Sequence, residues 1–317
     1  MTVSGKHYFT IFTAGVSFGL TSCIDEISAD LPVPAPTLVV NSILTPDSAF
    51  RVQVSRVTGP TDSASRLLSA ARVYLTEPGS SPEQLRYRGN GLYYGTRQPV
   101  NELAYTLRVE ADDYPAVSAT DTVPATVPIR EAWYSYPTGT DRNNELLGTI
   151  VVRFDDPAPT ANFYEISCYQ NYQNLIQQGS GIPLDARSNA ALVAEDDSGY
   201  DPPSLVFSDQ LFNGQPFELR ASFLPNARSG GGINGGQPVG PTVSGNLYLV
   251  VRSVSRAYYQ YRKSWTRHLY NQGTKGEGND FYQLLFLGDP TAMYTNVRGG
   301  YGVVAGYTQQ TVLLRAR

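Results

Sequence analysis

Leu38-Val39-Val40-Asn41-Ser42-Ile43-Leu44, the turn residues Thr45-Pro46-Asp47 and then Arg51-Val52-Gln53-Val54-Ser55-Arg56-Val57 decide the fold class of this chain. The second run alternates with period 2, which places its valines on one face of an extended strand and its polar residues on the other. β-Branched residues are frequent in both runs and suit a pleated, half-buried surface. Similar runs follow at Ala71-Arg72-Val73-Tyr74-Leu75, at Leu92-Tyr93-Tyr94 after the turn Gly89-Asn90-Gly91, and at Ala104-Tyr105-Thr106-Leu107-Arg108-Val109-Glu110. Gly59-Pro60-Thr61-Asp62 supplies a further turn. Strands at this spacing predict a β-sandwich over residues 38–118.

Residues 119–128 are small, polar and proline-punctuated, and the domain boundary is placed in that linker. Residues 129–317 predict a second sandwich, with strands at Gly148–Asp155, Phe163–Tyr172, Leu205–Ser208, Phe217–Phe223 and Leu247–Ser253. Phe154-Asp155-Asp156-Pro157 before Phe163-Tyr164-Glu165-Ile166 reads as a strand, an acidic proline turn and a partner strand. The glycine-rich stretch 228–241 is expected to be a loop. One helix is expected at about 255–270, because Tyr258, Tyr261, Trp265 and Leu269 recur at spacings of three and four. That reading puts Arg256, Lys263 and Arg267 on a solvated basic face, and Asn271-Gln272-Gly273 at the helix end. The expected fold class is therefore mainly β: two immunoglobulin/fibronectin type III-like β-sandwich domains with one packed helix near the C-terminus.

Composition agrees with that class. Charged residues make up only 16% of the chain while Gly, Pro and Tyr number 29, 22 and 22, a balance that favours turn-linked strands over long surface helices. The formal net charge of -4 gives no reason to expect a nucleic-acid partner.

At the amino terminus Lys6 and His7 precede an apolar run from Tyr8 to Leu20, the pattern of a cleaved signal peptide over residues 1–22. The run ends in Leu20-Thr21-Ser22-Cys23, which resembles the lipobox of bacterial lipoproteins. The resemblance implies diacylglycerol on the Cys23 sulfur, and acyl burial at about 0.8 kcal/mol per methylene then anchors the chain in a membrane without a spanning helix. Asp25 and Glu26 resemble the surface-export signal of Bacteroidota lipoproteins, which implies an outer-membrane, cell-surface location; a periplasm-facing one is the alternative. Residues 23–37 form the expected tether, since the alternating prolines at Pro32, Pro34 and Pro36 favour an extended polyproline II conformation.

No residue set specifies a reaction, and none predicts a catalytic centre, a metal site or a cofactor. Cys168 reads as a small buried strand residue; as a nucleophile it would need a base, and His268 is the one histidine after the signal peptide. Asp112-Asp113 and Asp155-Asp156 are adjacent acids, which point to opposite faces of a strand and make poor acid–base pairs. The run Glu195-Asp196-Asp197-Ser198-Gly199-Tyr200-Asp201 carries oxygens enough for calcium but lacks EF-hand spacing. Gly300-x-Gly302-x-x-Ala305 matches a dinucleotide fingerprint in form only, because a strand-like segment follows where a helix is required. Arg252, Arg256, Arg262, Lys263 and Arg267, interleaved with tyrosines, read either as the outer face of the helix or as an anion or glycan platform.

Taken together, the lipobox with downstream acids, the linker Ala125-Thr126-Val127-Pro128-Ile129, the helix around Tyr258-Tyr259-Gln260-Tyr261 and the run from Tyr294 to Tyr307 resemble one family. It is the Bacteroidota outer-membrane lipoprotein family of unknown function, often encoded beside TonB-dependent receptors. Within its Tyr-Thr-Asn-x-x-Gly-Gly-x-Gly run this chain has Val297 where Ile is usual. The resemblance carries over no catalytic residue. It implies a non-enzymatic ligand-capture or accessory subunit of a TonB-dependent transporter; a glycan- or peptide-acting hydrolase and an adhesion or envelope-structural protein are the alternatives. Tyr294, Asn296, Arg298 and Tyr301 are the candidate partner contacts, and Gly299, Gly300 and Gly302 the candidate structural turn, with Gly306 a candidate bulge.

Overall fold

The alternation at residues 51–57 is realised as a strand whose Val52 and Val54 are wholly buried. The computed structural model describes residues 35–59, 62, 64–171, 180–195, 202–228, 233–234, 237–238, 240–271 and 291–317. The signal peptide, Cys23, Asp25, Glu26 and residues 196–201 of the acidic run lie outside the described residues. In chain order the first half comprises β1 (Leu38–Leu44), β2 (Arg51–Arg56), β3 (Arg72–Thr76), β4 (Glu83–Gln84), β5 (Arg86–Tyr87), β6 (Leu92–Tyr94), β7 (Ala104–Ala111) and β8 (Tyr114–Thr122). Then come β9 (Ile129–Thr140), β10 (Leu146–Asp155), β11 (Phe163–Asn171), β12 (Ser180–Ile182), β13 (Leu184–Asp185), α1 (Ala190–Ala194), β14 (Leu205–Ser208) and β15 (Pro216–Phe223). After the two-residue strands β16 (Ala227–Arg228), β17 (Ile233–Asn234), β18 (Gln237–Pro238) and β19 (Thr242–Val243), the chain closes with β20 (Asn246–Val254), α2 (Arg256–Asn271), β21 (Tyr301–Leu313) and β22 (Arg315–Ala316). The fold is mainly β, as its composition implies.

One sheet runs through the whole molecule. Its order is β12-β11-β20-β21-β1-β2-β6-β5, with β14 also paired to β11. A four-stranded sheet, β4-β3-β7-β8, covers one half of it, and a five-stranded sheet, β13-β15-β10-β9-β22, covers the other. Two cores result. The first gathers Leu38, Val52, Val54, Tyr93, Tyr105, Leu107 and Val304; the second gathers Ile150, Val152, Phe154, Tyr164, Ile166, Phe207, Leu219 and Leu249. Strands β1, β2 and β6 of the common sheet turn alternate residues inward, the arrangement in which two sheets bury one apolar face between them.

Strand β21 joins the halves. Its residues Tyr301–Gly306 pair in parallel with β1, and Tyr307–Leu313 pair antiparallel with β20. A C-terminal strand thus completes the amino-terminal sandwich, and residues 34–317 cluster as one unit. The linker expected at 119–128 is shorter than it reads: residues 119–122 are the end of β8, so only 123–128 connect. Pro115 and the Asp112-Asp113 turn obscure that strand in the sequence.

A second expectation needs correction. β10 and β11 are not partners across an acidic turn: β10 pairs with β9 and β15, while β11 pairs with β20, β14 and β12. The connection Asp156–Asn162 crosses from one sheet to the other. It is pinned by Asp156, whose carboxylate accepts hydrogen bonds from the Tyr164 hydroxyl and from Gly214 N–H at 2.7 Å, and by Asp209, which accepts from Asn162 N–H at 2.8 Å. A buried Asp is tolerable there because its oxygens are satisfied. Among the described residues no helix is long and apolar enough to cross a membrane, a statement that leaves β-barrels aside.

Candidate functional site

The second sandwich does not fill its own edge. Strands β13 and β14 border opposite sheets, and between them the packing leaves a cavity of about 620 Å³. Leu147, Leu184, Leu192, Leu205, Val206 and Phe223 wall it. Phe223 can lie there because Gly148 faces it: a Cβ at that position would stand 2.4 Å from the ring. Helix α1 forms one side, started by Asn189, whose side chain accepts from Ala191 N–H at 3.0 Å. At the mouth Val193 and Leu224 are 59% and 45% exposed, apolar surface that has no covering residue in the described chain. The volume falls within the roughly 300–1,000 Å³ of small-molecule sites.

Polar groups around the cavity are already engaged. Asp185 accepts from the Arg187 guanidinium, first through Nε at 2.9 Å, and that hydrogen bond holds its carboxyl below the usual range. Asp141 caps its own hairpin, accepting from Asn143 and Glu145 N–H, each at 2.8 Å. Glu195, at the end of α1, takes hydrogen bonds from Ser208 N–H at 2.7 Å and Ser208 Oγ at 2.9 Å. It also accepts from the Tyr259 hydroxyl and pairs with Lys263 Nζ at 2.9 Å.

Helix α2 therefore packs by its charges as well as by its rings. Burial pushes the Glu195 carboxyl up, but Tyr259, Lys263 and Ser208 together hold it below its ordinary value. On β11, a strand against which the same helix packs, Glu165 is 2% exposed and receives Tyr258 Oη at 2.7 Å, Ser204 Oγ at 2.6 Å, Arg252 Nη1 at 2.7 Å and Arg262 Nη2 at 3.0 Å. Against the desolvation that raises it, those cations keep its carboxyl low. Two i,i+4 pairs of the helix, Tyr258/Arg262 and Tyr259/Lys263, thus grip one carboxylate each. The solvated basic face read from the sequence is corrected for Arg262 and Lys263, which point at the sheet; Arg256 and Arg267 are exposed. Arg262 also stacks over Trp265 at 4.6 Å, and Arg252 over Tyr307 at 4.7 Å, contacts that favour a guanidinium.

The other residues singled out in the sequence fall elsewhere. Cys168 faces the second core, where burial pushes its thiol up to about 12, whereas His268 sits on α2, on the far side of the same sheet, beside the Thr291 carbonyl at 3.2 Å. They do not meet. Of the four candidate contacts, Tyr301 and Arg298 are exposed. Asn296 instead acts as a strand partner, exchanging bonds of 2.7 and 3.0 Å with the Val304 backbone, and Tyr294 packs against Val303 and Ala305 under α2. Arg298 joins Ser118 of β8 through a pair of backbone bonds. Gly302 has φ 105°, and a Cβ there would stand 2.1 Å from the Val40 carbonyl oxygen. The cavity wall escaped sequence reading because Leu184, Leu192, Leu205 and Phe223 look like any core residue.

Residues 24–312 match a family described as a domain of unknown function, DUF4249. No curated protein matches the chain. Among solved structures, the crystal structure of a point mutant of Salmonella alpha-2-macroglobulin is similar at 12% identity, covering 72% of this chain and 14% of that one, with a TM-score of 0.22. The chain spans only that small part of the macroglobulin, and a likeness this weak carries no argument.

Proposed function

We propose that this chain, which belongs to the DUF4249 family of unknown function, is a non-enzymatic capture protein that holds an apolar ligand in the cavity of its second sandwich. The observation that carries the reading is the cavity itself: about 620 Å³, walled by leucines, Val206 and Phe223, with an exposed apolar mouth. An acid–base site would need a carboxyl or imidazole poised to exchange a proton. The Asp185 and Glu195 carboxyls are instead held ionised by their partners, and the Asp141 carboxylate caps its own hairpin.

Capture is most useful where ligands arrive, and the amino terminus supports a surface location. Lipidated Cys23 would tether the chain to the outer membrane, Asp25 and Glu26 would direct it to the cell surface, and a TonB-dependent receptor would be the partner that takes over the ligand. Cys23→Ser should shift the protein from the membrane pellet to the soluble fraction; retention in the pellet without a lipid adduct would refute the tether.

Capture is tested with Nile red, a neutral apolar dye. Wild-type protein should bind it saturably. Val193→Asp combined with Leu224→Asp, both at exposed positions, should keep the melting temperature and weaken binding by about tenfold or more. Equal binding by this variant, or no saturable binding by the wild type, would overturn the reading.

A further inference from the structure

The capture reading leaves open which amphiphiles the cavity accepts, and its charges answer that. We infer that the cavity selects a cationic amphiphile, an alkyl chain carrying an ammonium group, over one carrying a carboxylate; the inference rests on the capture reading above. Asp141, half-buried in the cavity lining, has no cation within ion-pair distance among the described residues. Its Oδ1 accepts both backbone bonds of the hairpin, while Oδ2 receives only a long one, 3.4 Å, from Asn143 Nδ2. Arg142 beside it is exposed and forms no ion pair with it.

The other charges of the lining cancel in place. Arg187, the one basic side chain among the described lining residues, lies against Asp185, and Glu195 is neutralised by Lys263 from α2. Among the described residues a ligand therefore meets an apolar wall and one uncompensated carboxylate. An ammonium head placed against Asp141 Oδ2 would make a charge-assisted hydrogen bond, and that oxygen has room to accept one. A carboxylate head would lose hydration while facing a like charge, with no guanidinium or ammonium among the described lining residues left uncompensated to offset it. Tail burial is the same for both, so the head decides between them.

The experiment displaces Nile red from the full chain with decyltrimethylammonium, decanol and decanoate, all below their micellar concentrations. The cation should bind roughly three- to fivefold more tightly than decanol, the span of a partly exposed ion pair, and decanoate should bind most weakly. Asp141→Asn keeps an Oδ1 to accept the hairpin bonds, so it should abolish the preference for the cation over decanol. Raising the salt from 0.05 to about 0.5 M on wild-type protein should shrink the preference without any mutation, since exposed charges are screened over a few ångströms at that strength. Decanoate binding as tightly as the cation, or a preference indifferent to both Asp141→Asn and salt, would overturn the inference while leaving capture intact. Failure of all three compounds to displace the dye would instead remove the capture reading and this inference with it.

Discussion

Glu165 shows how much a single residue of a β-strand can organise. A carboxylate 2% exposed is costly to bury, and it is tolerated because two arginines, a tyrosine and a serine satisfy its oxygens. Glu165→Gln would leave Arg252 and Arg262 facing a neutral amide. The expected loss is about 2–3 kcal/mol, below the ~3–5 kcal/mol of fully buried pairs because both guanidiniums keep some exposure. Its sign with pH follows from the lowered carboxyl pKa: the stabilisation is present above the ordinary Glu value near 4.5 and is lost as pH falls through the lower folded value. Chemical denaturation between pH 3 and 7 should show wild-type stability falling at the acid end and that component missing in Glu165→Gln; parallel curves would contradict the account. Nothing in the string Tyr164-Glu165-Ile166 announces this role. A strand glutamate reads as a solvated face, and its partners come from three other segments of the chain.

At the scale of elements, β1, β2 and β7 were legible because one buried face imposes period 2, β10 because of its β-branched run, and α2 because its rings recur at helical spacing. Strand β21 was not. Its Gly302 and Gly306 suggest a turn and a bulge, and they do bring the backbone close to Val40 and Thr122, yet both lie within a continuous 13-residue strand. Gly306 is the pivot where β21 exchanges β1 for β20, and its N–H donates to Asp121 Oδ2 at 2.7 Å. Burial raises the Asp121 carboxyl to about 6, outweighing the hydrogen bonds from Ser255 and Gly306. A raised acid pKa means that the folded chain holds its proton more tightly. Stability should therefore fall as pH rises from about 4 to 6, by on the order of 2–3 kcal/mol, and stay level above that. Asp121→Asn, which retains an acceptor for Gly306, should abolish that decline; an unchanged pH profile of the melting temperature would show that the junction does not titrate.

For the whole molecule, the sequence made two sandwiches readable but not their union in one sheet, because parallel pairing of β1 with β21 joins residues more than 250 positions apart. No local pattern records such a contact. The same limit hides the cavity: its leucines and Phe223 satisfy every rule for core residues, and only the placement of β13 and β14 in opposite sheets shows the space that they line. The fold offers a continuous sheet and, among the described residues, an apolar cavity at the edge of the second sandwich, the proposed ligand site. The direct measurement is methyl NMR of the full chain, with leucine and valine methyls labelled, during titration with Nile red. Saturable shifts are expected to centre on Leu184, Leu192, Leu205 and Val206, with the first-core methyls of Val52, Val54 and Leu107 unmoved; shifts elsewhere with these four unchanged would contradict a ligand site in the cavity.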